Sequence, residues 1–124
     1  MRFRLLLFLL IAVSCQEDEA DEPELRTKPA QQIGPASAVL EAEIVETGPI
    51  KPITVGFLWS TTNNLTLDVS PGRYILGPTG NKGPYSIKVE TFGPNTTYYY
   101  RAYATNSTVT QVWYGEIVSF TTLP

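Results

Sequence analysis

From Ala36 to Thr122 apolar residues recur at every second position between breaks made by proline and glycine, and no stretch sustains a helical spacing. Successive side chains of a strand point to opposite faces. Ala38, Leu40, Ala42 and Ile44 therefore face one way, and Glu41 and Glu43 the other. Ile53 to Ser60 reads as a second strand, with Val55, Phe57 and Trp59 on one side. Between the two stands Thr47-Gly48-Pro49, and neither Pro49 nor Pro52 can donate to a ladder. Leu65 to Val69 is expected as a short edge strand. Pro71-Gly72, Gly77-Pro78, Gly80 and Gly83-Pro84 are expected to break the next stretch into turns. Tyr85 to Glu90 alternates strictly, Thr97 to Ala104 is the clearest strand, and Glu116 to Thr122 closes the pattern with Val118 and Phe120 on one face and Ile117 on the other. Leu25 to Ile33, interrupted by Pro29, is either a poor first strand along an edge or more tether. Strands with one apolar face each must bury those faces together, so the expected fold is an all-β sandwich of two antiparallel sheets.

The counts narrow the chemistry. The chain has no histidine, which excludes a Ser-His-Asp or Cys-His triad and any histidine metal ligand. Its one cysteine excludes an intrachain disulfide and a zinc knuckle. The 124 residues suit one small domain, and a net charge of -3 argues against a nucleic-acid surface.

The first residues, MRFRLLLFLLIAVSC, carry Arg2 and Arg4 ahead of an apolar run from Leu5 to Val13. That run is shorter than the roughly 20 residues a spanning helix needs, and the pattern is that of a cleaved secretory signal. Ala12-Val13-Ser14-Cys15 resembles the bacterial lipobox, in which small residues precede an obligatory cysteine. The resemblance implies cleavage after residue 14, a diacylglycerol on the sulfur of Cys15 and a further acyl chain (palmitate or similar) on its freed amine. Two or more chains give stable anchoring where one is marginal. Gln16 to Glu24 then holds six acids and no base, while Leu25 to Pro124 has six acids and seven bases. Such an acidic run is expected to be a solvated tether, so residues 15–35 are assigned to a lipidated cysteine and flexible linker and 36–124 to the folded domain. Glu17, Asp18, Glu19 and Asp21 also look like the signal that sends lipoproteins of one Gram-negative group to the outer face of the outer membrane. A plain spacer is the other reading.

Phe92-Gly93-Pro94-Asn95-Thr96-Thr97-Tyr98 resembles the tyrosine corner of fibronectin type III domains, with Phe92, Pro94, Thr96 and Tyr98 at the recurring positions. The resemblance implies that the Tyr98 hydroxyl bonds backbone at the corner while its ring enters the core. Tyr98 to Asn106, Gly56-Phe57-Leu58-Trp59-Ser60 and the closing Tyr114-Gly115 with Val118 to Thr122 match the same kind of domain in bacterial surface proteins. Thr61 to Gly83 and Ser107 to Val112 match poorly, and neither carries an Arg-Gly-Asp tripeptide. The fold hosts many unrelated tasks, so it does not fix one.

If Tyr98 and Tyr100 point inward, Tyr99 and Tyr103 point outward, and Trp113 and Tyr114 begin the neighbouring last strand. An outward cluster of Tyr99, Tyr103, Trp113 and Tyr114 would be a flat platform for sugar rings, or mere cross-strand packing. Arg101 between the tyrosines either stacks on a ring or solubilises the strand. Glu41, Glu43, Glu46, Asp68, Glu90 and Glu116 offer no cleft and no calcium-loop spacing, so no enzyme, cofactor or metal is expected. Asn64, Asn95 and Asn106 fit glycosylation acceptors by pattern, but turn chemistry accounts for them. The expected protein is a lipid-anchored, non-catalytic binding or accessory module at the bacterial outer membrane, held there by acyl chains on Cys15, with a glycan or an envelope protein as partner. The alternative is a structural spacer or protein-interaction module of the envelope.

Overall fold

The computed structural model describes residues 21–124. The signal segment 1–14, the lipidation site Cys15 and the acids Glu17, Asp18 and Glu19 lie outside the described residues. Eight strands form, β1 (Glu24–Gln31), β2 (Ala38–Glu46), β3 (Ile53–Ser60), β4 (Gly72–Thr79), β5 (Gly83–Val89), β6 (Thr97–Thr105), β7 (Val112–Tyr114) and β8 (Val118–Thr121). One sheet has the order β1-β2-β5; the other runs β4-β3-β6-β7, with β8 following β7 along the same side of β6. Every pairing is antiparallel, and the described chain is an all-β sandwich without helix.

The alternation builds the core. Ala38, Leu40, Ala42 and Ile44 of β2 are buried against Ile53, Val55 and Phe57 of β3 and Tyr100, Ala102 and Ala104 of β6. Small alanines on facing strands leave room for rings. Phe57 lies 5.0 Å from Tyr85 and 6.1 Å from Tyr100 between ring centroids. Each such large side chain contributes about 1.5–3 kcal/mol by leaving water.

Of the two readings of Leu25 to Ile33, the strand holds. Leu25 and Thr27 point inward, and Pro29 falls where the register with β2 shifts between Lys28 and Gln31, so no ladder bond is lost to it. The Thr27 hydroxyl accepts the N–H of Ala102 at 3.1 Å, and the Tyr100 hydroxyl donates to the carbonyl of Lys28, tying β1 to the opposite sheet. The first strand of the described body therefore begins at Glu24, ahead of Ala36.

Three expectations are corrected. Leu65 to Val69 is a turn, in which the Thr66 carbonyl accepts the N–H groups of Val69 and Ser70, because Leu65 is drawn under the sheet instead of pairing at its edge. Gly72 to Thr79 is a continuous strand: it pairs on one side only, and an edge strand with a bulge between its partners Val55 and Gly56 accepts both Gly77 and Pro78. The last strand is two, β7 and β8. They part at Gly115, where an added Cβ would stand 2.5 Å from the Thr27 hydroxyl oxygen and the backbone turns to give its N–H to Ala102.

Candidate functional site

The outward face of β6 carries Tyr99, Arg101 and Tyr103, but it is not open. The turn after β3 folds back so that Leu65 covers Leu58 and Tyr103, and Tyr103 is only 2% exposed. Tyr99, Leu67, Val112 and Tyr114 pack around them, half-buried. Tyr114 accepts the Leu67 N–H on its hydroxyl at 3.0 Å. Arg101 locks the arrangement: its Nε donates to the Gly115 carbonyl at 2.9 Å, its Nη1 to the Leu65 carbonyl at 3.2 Å, and its guanidinium stands 4.5 Å from the centre of the Tyr114 ring. Burial lowers the Arg101 pKa from its ordinary value, opposed by the nearby Tyr114. Burial likewise raises the Tyr103 phenol, with Arg73 pulling the other way. Tyr99, Tyr103 and Tyr114 therefore form a satellite core under a loop and not a flat platform.

Trp113 belongs to the other face. Adjacent strand residues cannot share a side, so Tyr114 joins the outer cluster while Trp113 packs on the main core. Its indole also lines a cleft of about 410 Å³ at the end of the sandwich where the chain enters β1. Three segments make the walls: Asp21 to Pro23, the β2–β3 loop from Thr47 to Ile50, and the β6–β7 loop from Asn106 to Gln111. Gly48 permits the first two to touch. Its φ is +77°, and a Cβ there would lie 3.1–3.2 Å from Pro23 and Glu22. Asn106 shapes the third. Its side-chain oxygen accepts the N–H groups of Thr110 and Gln111 at 2.9 and 3.3 Å, and its amide donates to the Thr110 hydroxyl at 2.7 Å. The cleft thus offers one aromatic face, the apolar Ile50, which is 78% exposed, and the polar groups of Gln111, Ser107, Asp21 and Glu22. The sequence names Trp113 but gives no sign that two remote loops and the chain entry converge on it.

At the opposite end, Phe92, Pro94, Thr96 and Tyr98 build the crossing between sheets. The Gly93 N–H donates to the Tyr98 hydroxyl at 2.8 Å, the Thr96 hydroxyl donates to the Pro94 carbonyl at 2.8 Å, and the Tyr98 ring lies 4.5 Å from Phe92. Asn95 takes φ +53°, and Thr122 ties the corner to the chain end by accepting the Thr96 N–H at 2.9 Å.

The carboxylates do not converge. Glu43 stands 3.9 Å from both Arg26 and Lys28, Glu46 3.7 Å from Lys82, and Glu90 3.4 Å from Lys88, all on the surface. Glu116 is tied to the backbone of β1, its Oε1 accepting the Thr27 N–H at 3.0 Å, and Asp68 accepts the Thr66 hydroxyl at 2.8 Å within its own turn.

Three strands packed on a four-stranded sheet extended by β8, with a tyrosine at the crossing, define a fibronectin type III-like sandwich. No family model and no curated protein sequence matches the chain. Solved structures are similar to it. The sensor domain of the anti-sigma factor RsgI4 in Pseudobacteroides cellulosolvens is 16% identical with a TM-score of 0.57, over 82% of this chain and 94% of that one. The fibronectin type-III domain of human fibronectin type III domain containing protein 3 is 16% identical with a TM-score of 0.52, over 90% and 94%. A computer-redesigned β-sandwich protein is 22% identical with a TM-score of 0.54, over 84% and 96%. At these identities the likeness is one of fold.

Proposed function

We propose that this chain is a lipid-anchored, surface-displayed, non-catalytic binding module, and that its ligand is a neutral glycan held in the cleft at the chain-entry end. The observation that carries the reading is Trp113, half-buried on the core yet lining a cleft edged with amide, hydroxyl and carboxylate groups. An indole face stacks on the apolar C–H side of a sugar ring, and Gln111, Ser107, Asp21 and Glu22 are donors and acceptors for its hydroxyls. Two carboxylates at the rim disfavour a phosphorylated or sulfated ligand by charge. The anchor rests on the lipobox-like Ala12 to Cys15. Nine residues from Cys15 to Glu24 reach at most about 30 Å, which keeps the cleft end on the membrane side of the body.

Two experiments test it. A glycan array probed with the full-length protein gives binding to neutral oligosaccharides that Trp113→Ala reduces by at least about tenfold and Tyr99→Ala leaves intact. A fatty-acid probe labels the wild type and not Cys15→Ala. No glycan bound by the wild type ends the ligand assignment; labelling that persists in Cys15→Ala ends the anchor.

A further inference from the structure

A loop that leaves water must carry few unpaired backbone donors with it. Two loop tips at the chain-entry end meet that condition, and each presents one aliphatic side chain outward. The tip of the β2–β3 loop is Pro49-Ile50-Lys51-Pro52, exposed throughout, with Ile50 at 78%. Its two prolines have no N–H to desolvate. The β6–β7 loop turns its polar groups on one another. The Val109 N–H donates to the Asn106 carbonyl at 3.0 Å, the N–H groups of Thr110 and Gln111 to the Asn106 side chain, and the Thr108 and Thr110 hydroxyls bond each other at 3.0 Å. Val109 is left 59% exposed, at φ +55°. That left-handed conformation is costly for a β-branched residue, and so exposed a side chain gains little packing within the body to offset it. Both tips flank the cleft. Its third wall begins at Asp21, six positions after Cys15, a span of at most about 22 Å.

We infer that this end of the sandwich beds on the bilayer that holds the anchor, with Ile50 and Val109 in its interfacial layer, and that the glycan of the cleft is one carried by a lipid of that same membrane. The inference rests on the anchor and the cleft proposed above. The position of the chain entry selects the bilayer as the occupant: of the two ends of the body, the one with the apolar tips is the one from which the chain runs back to Cys15. The corner end has an exposed aliphatic too, Leu123 at 50%, but no chain leads from it toward the anchor. Asp21 and Glu22 in the cleft wall oppose an anionic headgroup, so the lipid that enters is uncharged.

The full-length lipidated protein is reconstituted in phosphatidylcholine vesicles with one added cysteine bearing an environment-sensitive dye, the acylated Cys15 having no free thiol. Dyes at Ile50→Cys and Val109→Cys shift to the blue and are quenched at least about twofold by lipids spin-labelled near the headgroup, and a dye at Leu123→Cys is not. Val109→Asp fits the left-handed backbone better than valine and brings a charge to the interface; it keeps the melting temperature and lowers the quenching at Ile50→Cys. The neutral oligosaccharide chosen by the array, coupled to a lipid tail in the same vesicles, displaces a labelled soluble copy at a concentration at least about tenfold lower than the free sugar does, and Val109→Asp narrows that gap. Dyes at Ile50 and Val109 quenched no more than the one at Leu123, on protein that stays with the vesicles, overturn the bedding and leave the anchor standing. Equal displacement by the free and the lipid-borne sugar overturns the lipid source and leaves the cleft standing. Protein that separates from the vesicles removes the anchor, and this inference with it.

Discussion

The backbone N–H of Gly93 is donated to the phenol oxygen of Tyr98, five residues later, at 2.8 Å. The bond closes the crossing between the two sheets, and the Tyr98 ring continues it inward by packing 5.8 Å from Phe120. Removing the hydroxyl strands a half-buried donor. Tyr98→Phe is therefore expected to lower stability by about 1–3 kcal/mol in urea denaturation, with the slope of the transition unchanged. An unaltered midpoint would mean that water satisfies Gly93 equally well.

Arg101 holds Leu65 and Gly115 with two different nitrogens while lying on the Tyr114 ring. A lysine keeps the charge but has no fork to span both carbonyls. Arg101→Lys is expected to speed hydrogen exchange at Leu67, whose N–H is held by Tyr114, by about tenfold or more while the β2 amides keep their protection. Unchanged exchange at Leu67 would show that Leu65 burial alone fixes the loop.

Glu116 is kept ionised by its own backbone N–H and by that of Thr27, which holds its carboxyl below the usual carboxylate range against a small opposing effect of burial. A folded pKa below the unfolded one stabilises the fold fully above the unfolded value, and that stability is lost as pH falls through the folded value. Glu116→Gln is thus expected to be less stable than wild type near pH 7, and the gap to narrow as pH falls toward about 3. Urea midpoints of both proteins across that range check it; a constant gap would contradict the ionic role.

Asn106 is consumed by its own loop, so its contribution to the cleft is shape. Asn106→Ala is expected to leave the melting temperature within a few degrees, since the loop is exposed, yet to weaken glycan binding at least about tenfold. Calorimetric melting and a binding titration on the same sample separate the two effects.

Much of the fold was legible in the sequence because period-two burial is a local signal. Ala38 to Ile44 alternate between buried and half-buried as their sequence does, whereas in Thr97 to Ala104 the alternation gives the strand but not the burial, since Tyr103 is covered from outside. Local signals failed where a neighbour decides. Gly77 and Pro78 read as breakers, yet they sit in a strand because β4 has an open side. Pro29 likewise hid β1, whose register shift absorbs it. At the candidate site, alternation places Tyr99 and Tyr103 on one face, but the lid over them is Leu65, contributed by a loop that no periodicity describes. The same rule applied to Trp113 and Tyr114 separates them. The cleft itself joins residues more than sixty positions apart in the chain and has no local trace.

The most direct measurement is a glycan titration of the isotope-labelled protein followed by amide and indole resonances. The account predicts that a bound neutral oligosaccharide moves the Trp113 indole and the amides of Gly48, Ile50, Ser107 and Gln111, and leaves Tyr99, Tyr103 and Tyr114 in place. Perturbations centred on the Tyr99 face, or a spectrum that no glycan moves, would contradict it.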